Sequence, residues 1–373
     1  MHILIVSNIF SSRANPHGGS FVMSRVAAMQ ALGITVQMVG VGATPFGRED
    51  LRPDQMLDAT VGVRWGRRVH ARITRHVPTL EVETARRVAE SVDISDVDAV
   101  MAHGMFTPAA GTVAKMLAFS TGVPYSVHLH GSDVNVVLPR SPKPFLSTLD
   151  VARVNIFVSH ALLRAAQISG YQGVNYQVIP NGVDPAIFSR SLEVNRGNPS
   201  TNPTFLFVGN LLRVKGADRL PGIFKRLHQT LPTARFVVIG DGPLLEPLTK
   251  ATRNLPVEYV GRVPQAEVAR AMAAASMLLL PSRSEGWPTV INESYAVGTP
   301  VVAADVGGIR EAVCESNCLV GDGNAFEQRF ATRVLEMLGK ADPEALARRA
   351  NSFTWEALVR SEVHAVMGTC NGI

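Results

Sequence analysis

The stretch Pro281-Ser282-Arg283-Ser284-Glu285-Gly286-Trp287-Pro288-Thr289-Val290-Ile291-Asn292-Glu293 decides how the chain is read. Before it, Met277-Leu278-Leu279-Leu280 is an apolar run of strand length. After it, residues 291 to 297 read as a helix closed by Gly298. A strand, a polar loop and a helix start, in that order, place the loop where a doubly wound sheet takes its ligands. That place is the carboxyl ends of the strands, against helix N-termini. The free N–H groups and the dipole of such a terminus attract a phosphate.

Glu285 and Glu293 bracket the loop with seven residues between them. An ionised carboxylate only accepts hydrogen bonds, so it suits the hydroxyls of a sugar or a ribose. One glutamate before the helix and one on its first turns could grip two ends of a nucleotide sugar. The diphosphate would then lie on the amides between them. A solvated glutamate and a helix-capping glutamate fit the same spacing.

Glu285-Gly286 through Glu293-Ser294, then Gly298-Thr299-Pro300-Val301-Val302 and Gly307-Gly308-Ile309-Arg310-Glu311, resembles the glutamate–seven–glutamate signature of retaining family 4 glycosyltransferases. Ser294 stands where the family usually has Ala, and Trp287-Pro288 where Phe-Gly or similar is common. Proline removes one N–H donor from a phosphate cradle. The resemblance implies an α/β protein of two Rossmann-like domains facing a central cleft, the GT-B architecture. It further implies transfer of a sugar, with retained configuration, from an NDP-sugar to an acceptor hydroxyl. Bacterial surface polysaccharide or glycoconjugate synthesis is the nearest type, and a UDP-sugar is the favoured donor. Glu285 would hold donor-sugar hydroxyls and Glu293 the ribose, with Trp287, Pro288, Thr289 and Val290 lining the donor between them.

The 373 residues are enough for two domains, and a hydrophobic content of 46% supports real cores. Cys314, Cys318 and Cys370 lack metal-ligand spacing and argue for a reducing compartment. The opening Met1-His2-Ile3-Leu4-Ile5-Val6 lacks a basic n-region and reads as a buried strand rather than a signal peptide. No apolar run approaches the ~20 residues of a membrane span. These features point to a cytoplasmic protein. The net charge of +5 is concentrated, with seven Arg and two Glu between Arg64 and Arg87. Arg64, Arg67, Arg68, Arg72 and Arg75 fall within twelve residues, together with Trp65 and Ile73. Such a run is usually a solvated face. The sharper readings are a phosphorylated acceptor and an anionic membrane surface; the second is favoured and would place the protein on the inner face of the membrane. Nucleic acid is disfavoured, because no stacking platform accompanies the charge.

Along the first half, residues 3 to 7, 35 to 41, 99 to 104, 124 to 129 and 156 to 160 read as strands. Residues 21 to 32, 85 to 92 and 109 to 119 read as helices, 44 to 63 as loop, and 65 to 75 as a basic helix. The Gly18-Gly19 turn lets backbone approach a ligand. In the resembled family its second glycine, Gly19, faces the donor diphosphate. His130-Gly131-Ser132-Asp133 ends a strand, and a lone histidine there is structural more often than not. The family resemblance assigns His130 and Asp133 to the donor sugar, whereas His103 and His128 read as structural.

Residues 186 to 203 have linker composition. The α/β alternation then restarts. Gly209-Asn210-Leu211-Leu212-Arg213-Val214-Lys215-Gly216 carries two cations at a strand end, able to neutralise a diphosphate leaving group. This pattern resembles the family's pyrophosphate clamp, which brings Asn210, Arg213 and Lys215 to the donor. In the family the backbone after Gly261 meets the nucleotide base, at Val263. The organisation expected is an acceptor domain over 1–185, a linker over 186–203, a nucleotide-sugar domain over 204–353, and a helix over 354–373 crossing back to the first domain. No metal or cofactor is expected. The other open readings are an NDP-sugar epimerase and a non-catalytic nucleotide-sugar-binding protein. A dehydrogenase is disfavoured, since no G-x-G-x-x-G follows the first strand.

Overall fold

Apolar runs of strand length become parallel strands in the computed structural model, which describes residues 1–10, 19–42, 59–62, 79–190 and 201–368. Seven of them form one sheet: β1 (His2–Ser7), β2 (Thr35–Gly42), β3 (Ala59–Gly62), β4 (Ala99–His103), β5 (Tyr125–Leu129), β6 (Val154–Phe157) and β7 (Tyr176–Val178). Their spatial order is β3-β2-β1-β4-β5-β6-β7. Six more form a second sheet: β8 (Thr204–Val208), β9 (Arg235–Ile239), β10 (Val257–Gly261), β11 (Met277–Leu280), β12 (Val301–Ala304) and β13 (Leu319–Val320). Their order is β10-β9-β8-β11-β12-β13. The order reverses between β1 and β4 and again between β8 and β11, which gives each sheet one topological switch point.

The burial of the strands explains their composition. Ile3, Leu4, Ile5 and Val6 are all fully buried, as are Met277, Leu278 and Leu279. A parallel sheet covered on both faces needs continuous apolar strands rather than alternating ones. The second sheet is backed by stacked Phe205, Phe236 and Phe224, whose ring centroids are 5.8 and 4.4 Å apart in that order.

The chain divides into two units, Met1–Asn181 with Trp355–Ile373, and Gly182–Thr354. The helix Trp355–Met367 packs on the helix Ser20–Ala31, and Val359, Val363 and Val366 join Ile3, Ile5, Val22, Val26 and Met29 in one core. Arg25 and Glu362 form an ion pair inside that contact, 2.8–2.9 Å apart with both side chains fully buried. Arg25 also donates to Asn181 and lies 5.0 Å from the Trp355 ring centroid.

Several local expectations change. The 44–63 stretch ends in an edge strand, because Ala59–Gly62 pairs with β2; its short Ala-Thr-Val-Gly sequence carries almost no periodicity. The helix expected over 85–92 runs Thr79–Ser91. The helix expected from residue 291 starts at Thr289 and ends at Ala296. The helices Pro142–Leu149, Phe326–Met337 and Pro343–Asn351 lie where no sequence motif marks one. The basic helix over 65–75 and most of the glycine turn before Gly19 lie outside the described residues. Among the described residues no helix is long and apolar enough to cross a membrane.

Candidate functional site

The second unit gathers its polar side chains at the β8/β11 switch point. The chain leaves β8 and makes a tight turn of 3-10 helix at Arg213–Lys215. The loop after β11 runs beside it. Lys215 Nζ lies 2.9 Å from Glu285 Oε1 and 2.8 Å from Oε2. Ser282 Oγ donates to the same Oε1 at 2.8 Å. Glu285 is almost fully buried, while Lys215 keeps a third of its side chain exposed. A buried carboxylate is tolerated because it is paired and hydrogen-bonded. Two glycines allow the loops to come this close. A Cβ on Gly216 would overlap the Pro281 carbonyl, and one on Gly307 would overlap the Glu285 carbonyl. Both sit at positive φ, 67° and 54°, in the region that glycine adopts without strain.

A second layer holds these loops. Arg219 Nη1 donates to the Pro281 carbonyl at 2.9 Å, its Nη2 pairs with Asp322, and its guanidinium lies over Phe326. Arg283 reaches Asp218 at 2.6 and 3.0 Å and the Arg213 carbonyl at 2.7 Å. Arg213 itself points outward, 78% exposed and 3.6 Å from Asp218. The two expected cations are therefore placed differently: Lys215 meets Glu285, and Arg213 stands in solvent.

Beyond Glu285, Trp287 is buried with its ring 5.3 Å from Phe353. Pro288 is the N-cap of Thr289–Ala296 and supplies no side-chain cap. An uncapped start leaves first-turn N–H groups for water or an anion. Thr289 and Val290 lie there, half-buried. Glu293 follows one turn on, half-buried, and loss of hydration pushes its carboxyl up to about 7, opposed by the Thr289 hydroxyl. Asn210 is exposed just after β8, and Val263 is half-buried just after β10.

In the first unit, Gly19 is the buried, left-handed N-cap of the helix that carries Arg25, packed against the Ile9 carbonyl. His130 and Asp133 follow β5. Asp133 is fully buried and both its oxygens are engaged: Oδ1 accepts from Met105 N and Oδ2 from His130 N, each at 2.8 Å. Burial pushes its carboxyl up to about 6 against those amide bonds. Asp133 thus braces the turn that carries His130. Burial, with the Arg25 charge next, lowers the His130 imidazole to about 3, so the ring is neutral. His103, which read as structural, is beside it, with Nδ1 3.3 Å from His130 Nε2. No linear spacing ties Ser282 or Arg219 to Glu285; only the fold brings them there. Among the described residues no group of three or more His, Cys, Asp or Glu side chains could hold a metal ion.

Comparison with known proteins gives the family and the fold. The model described as Glycosyltransferase Family 4 matches residues 18–187, and that described as Glycosyl transferases group 1 matches residues 202–340. The chain is 30% identical over 335 residues to the putative teichuronic acid biosynthesis glycosyltransferase TuaC of Bacillus subtilis (strain 168), covering 83% of this chain and 82% of that one. The chain belongs to the family 4 glycosyltransferases. Its fold is GT-B. Sucrose-phosphate synthase from Thermosynechococcus elongatus superposes with a TM-score of 0.73 at 18% identity, covering 98% of each chain. HepE of Anabaena, solved in complex with UDP, superposes with a TM-score of 0.72 at 18% identity, covering 99% of this glycosyltransferase and 100% of HepE.

Proposed function

We propose that this glycosyltransferase moves a sugar from a nucleoside-diphosphate sugar to an acceptor hydroxyl, with retained anomeric configuration, in the synthesis of a bacterial glycan or glycolipid. The observation that carries this reading is the Lys215–Glu285 pair, closed across two loops at one switch point beside an uncapped helix start. A cation and helix amides suit a diphosphate, and the two carboxylates suit hydroxyl groups. Lys215 takes the diphosphate with Arg213, Glu285 the donor sugar and Glu293 the ribose. Asn210, Val263 and the backbone of Trp287 to Val290 line the nucleotide. The neutral His130 ring suits a sugar hydroxyl better than a phosphate. The UDP held by HepE favours a UDP-sugar, and the teichuronic acid pathway named for the Bacillus relative favours a glycan acceptor.

In the reaction, the bond from the anomeric carbon to the diphosphate breaks. The acceptor oxygen bonds to that carbon on the same face, and the acceptor proton passes to the departing diphosphate. Preorganised charge on the leaving group is the main contribution of such a site. Lys215, Arg213 and the helix amides fill that role without a metal ion or a cofactor. The arginines at residues 64, 67, 68, 72 and 75 hold the enzyme reversibly to the anionic inner face of the membrane, near a lipid-linked acceptor. Nucleic acid is not a partner.

The deciding experiment is a thermal-shift panel of UDP-, GDP-, ADP- and dTDP-sugars. A ligand at 100 times its Kd stabilises by about 2.7 kcal/mol. UDP-sugars give the largest shift. If no nucleotide sugar moves the transition, the reading is wrong. Product NMR with the selected donor then reads the anomeric configuration.

A further inference from the structure

The fold of the first unit brings three imidazoles together. In the parallel ladder His103 of β4 stands opposite His128 of β5. His130 follows His128 by two residues, so the alternation of the strand carries it toward the same face. The His103 ring lies 4.3 Å from that of His128 and 5.6 Å from that of His130, and Phe21 packs on His130 at 4.8 Å. His103 Nδ1 and His130 Nε2 are 3.3 Å apart. Burial is the main cause holding all three rings below the usual imidazole range, and the Arg25 charge adds to it. Each ring is therefore neutral, with one N–H and one bare nitrogen.

That single contact ties the two tautomers together. If His103 donates from Nδ1, His130 accepts at Nε2 and must carry its own proton on Nδ1. If His130 donates from Nε2, its Nδ1 is a bare acceptor. His130 Nδ1 is buried and has no protein partner. His103 Nε2 and His128 Nδ1 are likewise buried without a protein partner; on the ring assigned to the sugar, Nδ1 is the nitrogen open to a ligand, and its character is tied to that of His103. The contact also distinguishes the two ring flips of His130, because a flip would turn a carbon toward His103 and move Nδ1 away. A sugar hydroxyl can donate or accept, but its other partners in a site fix which. The wrong tautomer leaves both groups unsatisfied.

We propose that His103 is a positioning residue: through His130 Nε2 it fixes the flip and the tautomer that His130 presents to a hydroxyl of the donor sugar. The proposal rests on the assignment of His130 to that sugar, so its test separates the two. The first measurement is the imidazole 15N spectrum of the ligand-free protein, with His130 assigned by its loss in His130→Ala. Wild type gives a single neutral tautomer for His130. His103→Phe gives a mixture, and so does His103→Gln, whose amide lies beyond the Nδ1 level. His103→Asn, whose amide overlies Nδ1, restores a single form. The second measurement compares UDP with the tightest-binding of UDP-glucose, UDP-galactose and UDP-N-acetylglucosamine by calorimetry. In His103→Phe and His103→Gln the preference for the UDP-sugar over UDP falls roughly tenfold, the worth of one buried hydrogen bond. UDP affinity is unchanged, and His103→Asn recovers the preference. A His130 tautomer unaltered by both His103→Phe and His103→Gln overturns the coupling, whatever the affinities. An undiminished preference in His130→Ala instead overturns the sugar contact, and with it the functional part of the proposal.

Discussion

Lys215 and Glu285 are 70 residues apart in sequence, yet the lysine Nζ lies 2.9 and 2.8 Å from the two oxygens of the glutamate. They follow β8 and β11, which are neighbours in the sheet only because the strand order reverses there. In the proposed reaction Lys215 is held by the carboxylate assigned to the sugar until the diphosphate arrives. Lys215→Ala should lower turnover of a UDP-sugar by roughly 100-fold or more, the usual effect of losing one preorganised charge contact. Glu285→Ala should leave UDP affinity intact or tighter, because it frees the lysine, and weaken only the UDP-sugar. Steady-state kinetics and calorimetry check both. Near-wild-type turnover in folded Lys215→Ala removes the lysine from the diphosphate.

Asp133 accepts two backbone N–H bonds and touches no solvent. The two bonds tie the turn carrying His130 to Met105. Asp133→Ala should destabilise the protein by about 1–3 kcal/mol for each buried amide left unpaired. Urea unfolding measures this. An unchanged midpoint would show that the turn does not need its brace.

The Arg25–Glu362 pair joins the helix Trp355–Met367 to the helix Ser20–Ala31 inside a fully buried contact. Removing one partner strands a buried charge. Glu362→Ala should therefore cost about 3–5 kcal/mol, whereas the apolar pair Arg25→Met with Glu362→Leu recovers most of it. If the double variant is no more stable than the single one, charge desolvation is not what the pair manages.

Much of this was legible in the sequence. The alternation of apolar runs and helices gave the α/β class, and the long Glu285-to-Glu311 pattern placed the loop, the helix and the following strand in order. What sequence could not show is pairing across the sheet. The contact of His103 with His130 exists only through the β4–β5 register, which no linear spacing shows. The backbone partners of Asp133, the Met105 and His130 N–H groups, are set by the turn geometry, which no residue spacing shows. Arg213 and Lys215 look equivalent two residues apart, but the 3-10 turn sends one to Glu285 and the other outward. The helix Pro343–Asn351 has a short mixed pattern that no motif singled out, although its Asp342 cap accepts from Glu344 N and Ala345 N.

The basic segment with Arg64, Arg67, Arg68, Arg72 and Arg75 lies outside the described residues, so its prediction comes from charge alone. Each arginine near an anionic leaflet contributes about 1 kcal/mol, and the attraction is screened by salt. The protein should co-sediment with phosphatidylserine-containing liposomes at low salt and be released at high salt. Equal binding to neutral liposomes, or no binding at low salt, assigns the segment to solvent instead.

The last prediction follows from the Glu293 carboxyl, which burial raises from 4.5 to about 7. The ionised form offers two acceptor oxygens to the ribose hydroxyls, whereas protonation turns one of them into a donor. As pH falls through 7 the group takes a proton, and UDP binding must first remove it. UDP affinity should therefore weaken by up to about tenfold for each pH unit below 7 and level off above it. Folding carries the opposite sign. The folded carboxyl keeps its proton to higher pH than the unfolded one, so the group's contribution to stability falls as pH rises from 4.5 to about 7. Calorimetric titration of UDP from pH 6 to pH 8 reads the first effect, with Glu293→Gln as the control. The variant should bind more weakly at pH 8 and lose the slope specific to the wild type. If Glu293→Gln keeps the full pH dependence, another group titrates there, and Glu293 does not hold the ribose as a carboxylate.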